Sequence, residues 1–243
     1  VRDIRRLGAA AVDLCLVAVK ATSLGQALAG VPASALGGGL VLPLLNGLEH
    51  MDALRAHVPA DQVVAGAIRI ESTRVAPGRV EHTSPFSLIE VASDTAPADR
   101  VAALAEQLRQ AGFEVAVRAD EASLLWDKLA LLAPLALLTT HAGAALGVVR
   151  DQRRADLDAV IDEVVAVAAA AGSQVDAAAV HRMMNRIPPA MKSSMLRDAE
   201  AGRPTELDAI GGAVLRAARV RGLDTPVTAR LVAEIASRQP ART

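Results

Sequence analysis

Two short apolar runs, Leu14 to Val19 and Leu40 to Leu45, each end in a polar residue, Lys20 and Asn46 respectively. Each is too short and too continuously apolar for an amphipathic helix, and reads as a strand buried on both faces of a parallel sheet. A helical stretch to about Leu28 lies between them, so the order is strand, helix, strand, which predicts a doubly wound sheet. Such sheets meet their ligands beyond the carboxyl ends of the strands. Lys20 and Asn46 are therefore placed where a ligand would arrive, although Asn46 before Gly47 is also an ordinary turn former.

Residues 62 to 92 carry Val63-Val64, Ile68-Arg69-Ile70, a Pro77-Gly78 turn, Val80-Glu81-His82 and the run Ser87 to Val91, which read as short alternating strands. Helical spacing follows from 98 to 111, and Glu114 to Arg118 returns as a last strand. Near Asp120 the pattern changes class. From there only helices are predicted: Glu121 to Leu146, Asp151 to Ala171, Ala177 to Arg186, Lys192 to Glu200, Thr205 to Val220 and Pro226 to Ser237. Thr205 with Asp208 three residues on matches a capping pattern, and Thr225-Pro226 places a cap before a first-turn proline. Gly211-Gly212 would weaken the Thr205 helix unless another helix or a ligand approaches closely there. The expected division is an α/β domain over residues 1–119 and an all-α domain over residues 120–243.

A chain of 243 residues that is 52% hydrophobic is long enough for two compact domains. Its formal charge of −1 leaves no basic stripe of the kind nucleic acid or an anionic membrane requires, so a small-molecule partner is expected. Cys15, the only cysteine, allows no internal disulfide and is read as buried. No apolar stretch reads as long enough to cross a bilayer, and a cytoplasmic protein is expected. Trp126, Phe86 and Phe113 are the only large aromatic side chains of the Phe, Tyr and Trp kind, so the core must be built from small aliphatic side chains. His50, His57, His82, His141 and His181 lack ligand spacing, so no metal is expected. No Gly-x-Ser-x-Gly elbow or cysteine nucleophile pattern is present, which disfavours a hydrolase.

A nucleotide-binding sheet opens with a strand, a glycine-rich turn and a helix whose N-terminus takes the pyrophosphate. Gly37-Gly38-Gly39 precedes a strand instead of opening a helix, and reads as a surface turn.

The helical half holds the chemistry. Lys128 shares a helix face with Leu124 and Leu131; burial would lower its pKa toward that of a general acid, whereas snorkelling would keep its head wet. Glu206 starts a helix, where the unpaired amides stabilise a carboxylate without any further role. Ser193 and Ser194 are ordinary cap residues when read alone.

Taken in order, Val17 to Lys20, Leu45-Asn46-Gly47, Pro77-Gly78 with Val80 and His82, Trp126 with Lys128-Leu129, Ser193-Ser194-Met195, Thr205 to Asp208 and Thr225-Pro226 resemble the ketopantoate reductase family over nearly the whole chain. The resemblance implies a Rossmann-like dinucleotide-binding domain, incomplete by roughly 50 residues before Val1, about one βαβ unit with its linker, ahead of a helical substrate domain, and NADPH-dependent reduction of 2-dehydropantoate. It implies Lys128 as general acid, Glu206 as the acceptor for a substrate hydroxyl, Ser194 on the substrate carboxylate, and Lys20 and Asn46 at the junction of cofactor and substrate. The family pattern has asparagines one and two turns after its lysine, where this chain has Leu132 and Ala136. That departure predicts a less polar 2-oxo acid. A non-catalytic or divergent paralogue and a dehydrogenase of 3-hydroxy acids or opines are the alternatives. The Ala- and Val-rich stretch Ala155 to Ala171 would suit either a homodimer face or packing within the chain.

Overall fold

The computed structural model describes residues 12–238. The chain divides into two compact units, with the division between Leu125 and Trp126. Two short loops, Lys20–Thr22 and Asn46–Glu49, belong to the second unit although they follow strands of the first.

In the first unit β1 (Leu14–Val17) pairs in parallel with β2 (Leu40–Pro43), the helix α1 (Leu24–Ala29) lying between them in sequence. A parallel bridge from Val41 to Val63 leads into β3 (Ala65–Arg69), and α2 (His50–Arg55) precedes that bridge. β4 (Ser72–Ala76) and β5 (Arg79–His82) form an exposed antiparallel hairpin through Pro77-Gly78. β6 (Leu88–Ala92) sits between antiparallel β3 and parallel β7 (Glu114–Val117). The helix α3 (Ala98–Gln110) packs on this sheet through Val101, Leu104, Ala105 and Leu108, the i, i+3, i+4, i+7 stripe of an amphipathic helix. These meet Leu40, Leu42, Val64, Ile89 and Val91 to form an aliphatic core.

β2 is buried throughout, as its composition predicts, but β1 is not: Leu16 is 52% exposed. Among the described residues β1 pairs only with β2. Cys15 is half-buried, and burial pushes its thiol pKa up, away from the reactive thiolate.

The remaining helices are α4 (Glu121–Ala142), α5 (Leu146–Gln152), α6 (Arg154–Ala170), α7 (Ala177–Arg186), α8 (Ser194–Glu200), α9 (Ala213–Val220) and α10 (Pro226–Arg238). A five-residue π-helical segment, Asp208–Gly212, runs directly into α9. The stretch expected as one helix from Asp151 to Ala171 is broken at Arg153, whose φ of −133° is not helical. α6 buries Leu157, Val160, Ile161, Val164, Val167 and Ala168 against α5, α7, α9 and α10, so its apolar face is consumed within the chain. The start of α10 is capped by another helix: the Glu163 carboxylate of α6 accepts from the Val227 and Thr228 amides, both at 2.8 Å.

Contrary to the sequence expectation, α4 is long and apolar enough to span a bilayer, with a mean hydropathy of 1.5. Most of that stretch, 61%, is buried inside the protein, as in the central helix of a folded core.

Candidate active site

The second unit gathers Lys20, Asn46, Lys128, Ser194 and Glu206. Glu206 is the organising group. Its side chain is buried, one carboxylate oxygen accepts the Ala21 backbone N–H at 3.0 Å, and the other accepts the Asn46 side-chain amide at 2.9 Å. The carboxylate is therefore not spent on its own helix: it ties together the two loops that follow β1 and β2. Its backbone carbonyl does accept the first helical bond, from Ile210 N at 3.0 Å. Asn46 gives one N–H to Glu206, leaving its other N–H and its carbonyl oxygen for a ligand.

Beside this pair, Lys20 donates to Asp198 of α8 at 2.6 Å, while Arg203 donates to the other Asp198 oxygen at 2.9 Å. The Lys20 side chain is 42% exposed and that of Asp198 only 9%, so an accessible ammonium is anchored on a buried carboxylate. Two of its three N–H donors remain. Asp198 was not singled out from the sequence, although a signal exists: it lies three residues after Met195 on the buried face of α8, where a carboxylate requires a partner.

The two serines separate. Ser193 is the buried N-cap of α8, accepting from Leu196 N at 3.0 Å. The Thr139 hydroxyl donates to the Leu135 carbonyl at 2.6 Å, so in the 2.7 Å contact between the two hydroxyls it is Ser193 that donates. That bond fixes the start of α8 against α4. Ser194, the first residue of the helix, is exposed.

Lys128 is partly buried on α4, two residues after the buried Trp126. Leu132 and Ala136 follow it at intervals of one turn on the same stripe, the first partly buried and the second fully buried. The wall one and two turns beyond Lys128 is therefore aliphatic.

Gly211 explains itself by packing: a Cβ there would lie 2.5 Å from a Val232 methyl of α10 and 3.1 Å from Leu137 of α4. The expected close helix approach is what this glycine permits. The Asp208 carboxylate accepts from Arg216 of α9 at 2.7 Å.

Residues 7–93 match the family described as ketopantoate reductase PanE/ApbA, and residues 121–239 match its C-terminal domain. A 2-dehydropantoate 2-reductase of Halobacterium salinarum is 32% identical over 225 residues, covering 88% of this chain and 72% of that protein. A PanE/ApbA family ketopantoate reductase from Ralstonia eutropha JMP134 superposes with a TM-score of 0.82 at 28% identity, covering 93% of this chain and 75% of the other. A D-mandelate dehydrogenase, solved with NADH and anilino(oxo)acetate, shares the fold with a TM-score of 0.86 at 22% identity, over 94% of this chain and 76% of its own. The same order of a Rossmann-like α/β region and a helical domain runs through these proteins and this chain, which belongs to the ketopantoate reductase family of oxidoreductases.

Proposed function

We propose that this protein reduces a 2-oxo acid to the 2-hydroxy acid, with NADPH as the reductant, and that its substrate carries a less polar side chain than 2-dehydropantoate. The observation that carries the reading is the Glu206 carboxylate, buried yet bonded to the loops beyond β1 and β2, where α/β sheets place their ligands. In this reading residues 1–119 serve the dinucleotide and residues 120–243 the substrate.

The available donors suit part of a dinucleotide. The free N–H groups of Lys20 and the unspent amide positions of Asn46 match ribose hydroxyls and a carboxamide. Gly37 to Gly39 lead into β2 and open no helix, so the pyrophosphate is assigned no residue. When bound, the dinucleotide supplies the hydride.

Lys128 protonates the developing alkoxide at the substrate C2 oxygen, the task of a positioned general acid. Glu206 accepts a hydrogen bond from a substrate hydroxyl, and Ser194 donates to the substrate carboxylate. Leu132 and Ala136 supply apolar surface where the family pattern places amides. Each hydrogen bond to a charged group that such a change removes is worth about 1.5–3 kcal/mol, on the order of tenfold or more in affinity.

The test is a substrate screen, following the loss of reduced nicotinamide absorbance with NADPH and NADH. Aliphatic and aromatic 2-oxo acids are expected to be reduced with kcat/KM about tenfold or more above that of ketopantoate. Lys128→Ala is expected to lower turnover by roughly 10²–10⁴ while the thermal melt stays in place. Ketopantoate outpacing every less polar acid would remove the substrate assignment and leave the reaction standing. Undiminished turnover by Lys128→Ala would remove the general acid.

A further inference from the structure

The Asn46–Glu206 pair is held from behind by a residue that touches neither. Arg216 of α9 donates from Nε to one oxygen of Glu49 at 2.6 Å and from Nη2 to the other at 2.7 Å, a bidentate fork. The same guanidinium donates from Nη1 to the Asp208 carboxylate at 2.7 Å and from Nη2 to the Asp208 backbone carbonyl at 3.1 Å. Glu49 lies three residues after Asn46, and Asp208 two residues after Glu206. One planar cation thus bridges the segments that carry the two partners. A second restraint lies between the same segments: Gly47, at φ +89°, packs so closely on the Ala209 carbonyl that a Cβ would run into it.

The π-helical segment makes this bridge reachable. In an uninterrupted α-helix, residues eight apart point about 80° away from each other. A π turn accommodates one extra residue, so the spacing of eight from Asp208 to Arg216 behaves like a spacing of seven, which returns to the same face. Gly212 lies under the bridge, where a Cβ would sit 2.5 Å from the Asp208 carboxylate oxygen and 3.0 Å from Arg216 Nη1. The second glycine of the Gly211-Gly212 pair therefore clears the path of the ion pair. Exposed ion pairs are individually weak, but a bidentate guanidinium shared by two carboxylates constrains geometry as well as supplying charge.

We infer that Arg216 is a positioning residue, which sets the reach of Asn46 to Glu206 by clamping the Asn46–Glu49 loop to the π-helical turn. The clamp rests on geometry alone; its consequence for turnover rests on the reading of Asn46 and Glu206 given above. Hydrogen bonds donated to both carboxylates, with the carboxylates' charges, hold the guanidinium even more firmly protonated than an ordinary arginine.

The first test needs no substrate. In ¹⁵N-labelled protein the Asn46 side-chain amide, assigned by its disappearance in Asn46→Asp, is expected to show one protected proton. That protection should be lost in Arg216→Gln and in the surface variant Glu49→Gln, and be partly kept in Arg216→Lys, which retains charge but not the fork. Protection that survives both Arg216→Gln and Glu49→Gln overturns the clamp.

The second test is a double-mutant cycle on the oxo acid that the screen identifies. Arg216→Gln is expected to lower kcat/KM about tenfold in the native background and to have almost no further effect when Asn46 is already alanine. Additive losses would make Arg216 merely structural and overturn its positioning role. No loss from Asn46→Ala alone would instead refute the site assignment, with the amide measurement still deciding the clamp.

Discussion

Glu206 illustrates how a residue can hold distant segments together in a way that its local sequence does not announce. At the start of a helix a glutamate is most simply a dipole-stabilised surface charge, yet this one is buried and accepts from Ala21 N and Asn46 Nδ2. Both of its neighbours are donors, so replacing one oxygen by an amide NH₂ sets donor against donor at one of them. The Ala21 backbone cannot turn, whereas the Asn46 amide can flip and offer its oxygen. Glu206→Gln is therefore expected to fold, with stability lowered by only about 1–2 kcal/mol. Its kcat/KM for the reduced oxo acid should fall by about tenfold or more, because the flipped Asn46 and the neutral Gln present the wrong groups to the substrate. Urea unfolding and steady-state kinetics on the same preparation check both halves; an unaltered kcat/KM would dismiss Glu206 as a structural tie.

At the scale of elements, the sheet β3–β6–β7 is stitched by a single carboxylate. Glu90, in the middle of β6, accepts from Arg69 at the end of β3 at 2.8 Å and from Arg118 just past β7 at 2.6 Å. Arg69 is the diagonal neighbour of Glu90 across the antiparallel pair, the separation at which long side chains meet. Burial alone would push the Glu90 pKa up, but the hydrogen bonds and charges of the two arginines outweigh it and hold the carboxyl below the usual range. A carboxyl whose folded pKa lies below its unfolded one adds stability above the unfolded value, and that stability is lost as pH falls through the folded value. Glu90→Gln should thus be less stable at neutral pH, by about 1–2 kcal/mol once the solvent still reaching both guanidinium groups is allowed for. The difference from the native protein should shrink as the pH drops below about 4, the ordinary carboxylate range. Chemical denaturation across that window checks the slope, and a gap that stays constant down to acid pH would show that Glu90 is not the titrating group.

Over the whole molecule, the sequence was most legible where one periodicity runs undisturbed. α3, α7 and β2 lie where their apolar spacing places them, because each needs only one covered face or one continuous run to be recognised. The misreadings share a different cause. The break at Arg153, the partial exposure of β1 and the π turn after Glu206 depend on what packs alongside, which a local window does not contain. The site divides the same way. Lys20 and Asn46 are singled out by their places beyond strand ends, whereas Asp198 meets Lys20 across 178 residues of chain and Arg216 meets Glu49 across 167, separations no local window spans. The order of the paired segments also bears on the cofactor. Lys20 is fixed by Asp198 of α8 and Asn46 by Glu206, so both candidate dinucleotide contacts are arranged by the helical half of the sequence. Titrating NADPH while following nicotinamide fluorescence should then give a saturable signal. Asp198→Asn should weaken it about tenfold, comparably to Lys20→Ala, by releasing the ammonium from its anchor. A variant at Asp198 that binds as the native protein does, alongside a weakened Lys20→Ala, would show that the ammonium finds its place without the helical half; an absence of saturation in the native protein would withdraw Lys20 and Asn46 as cofactor contacts altogether.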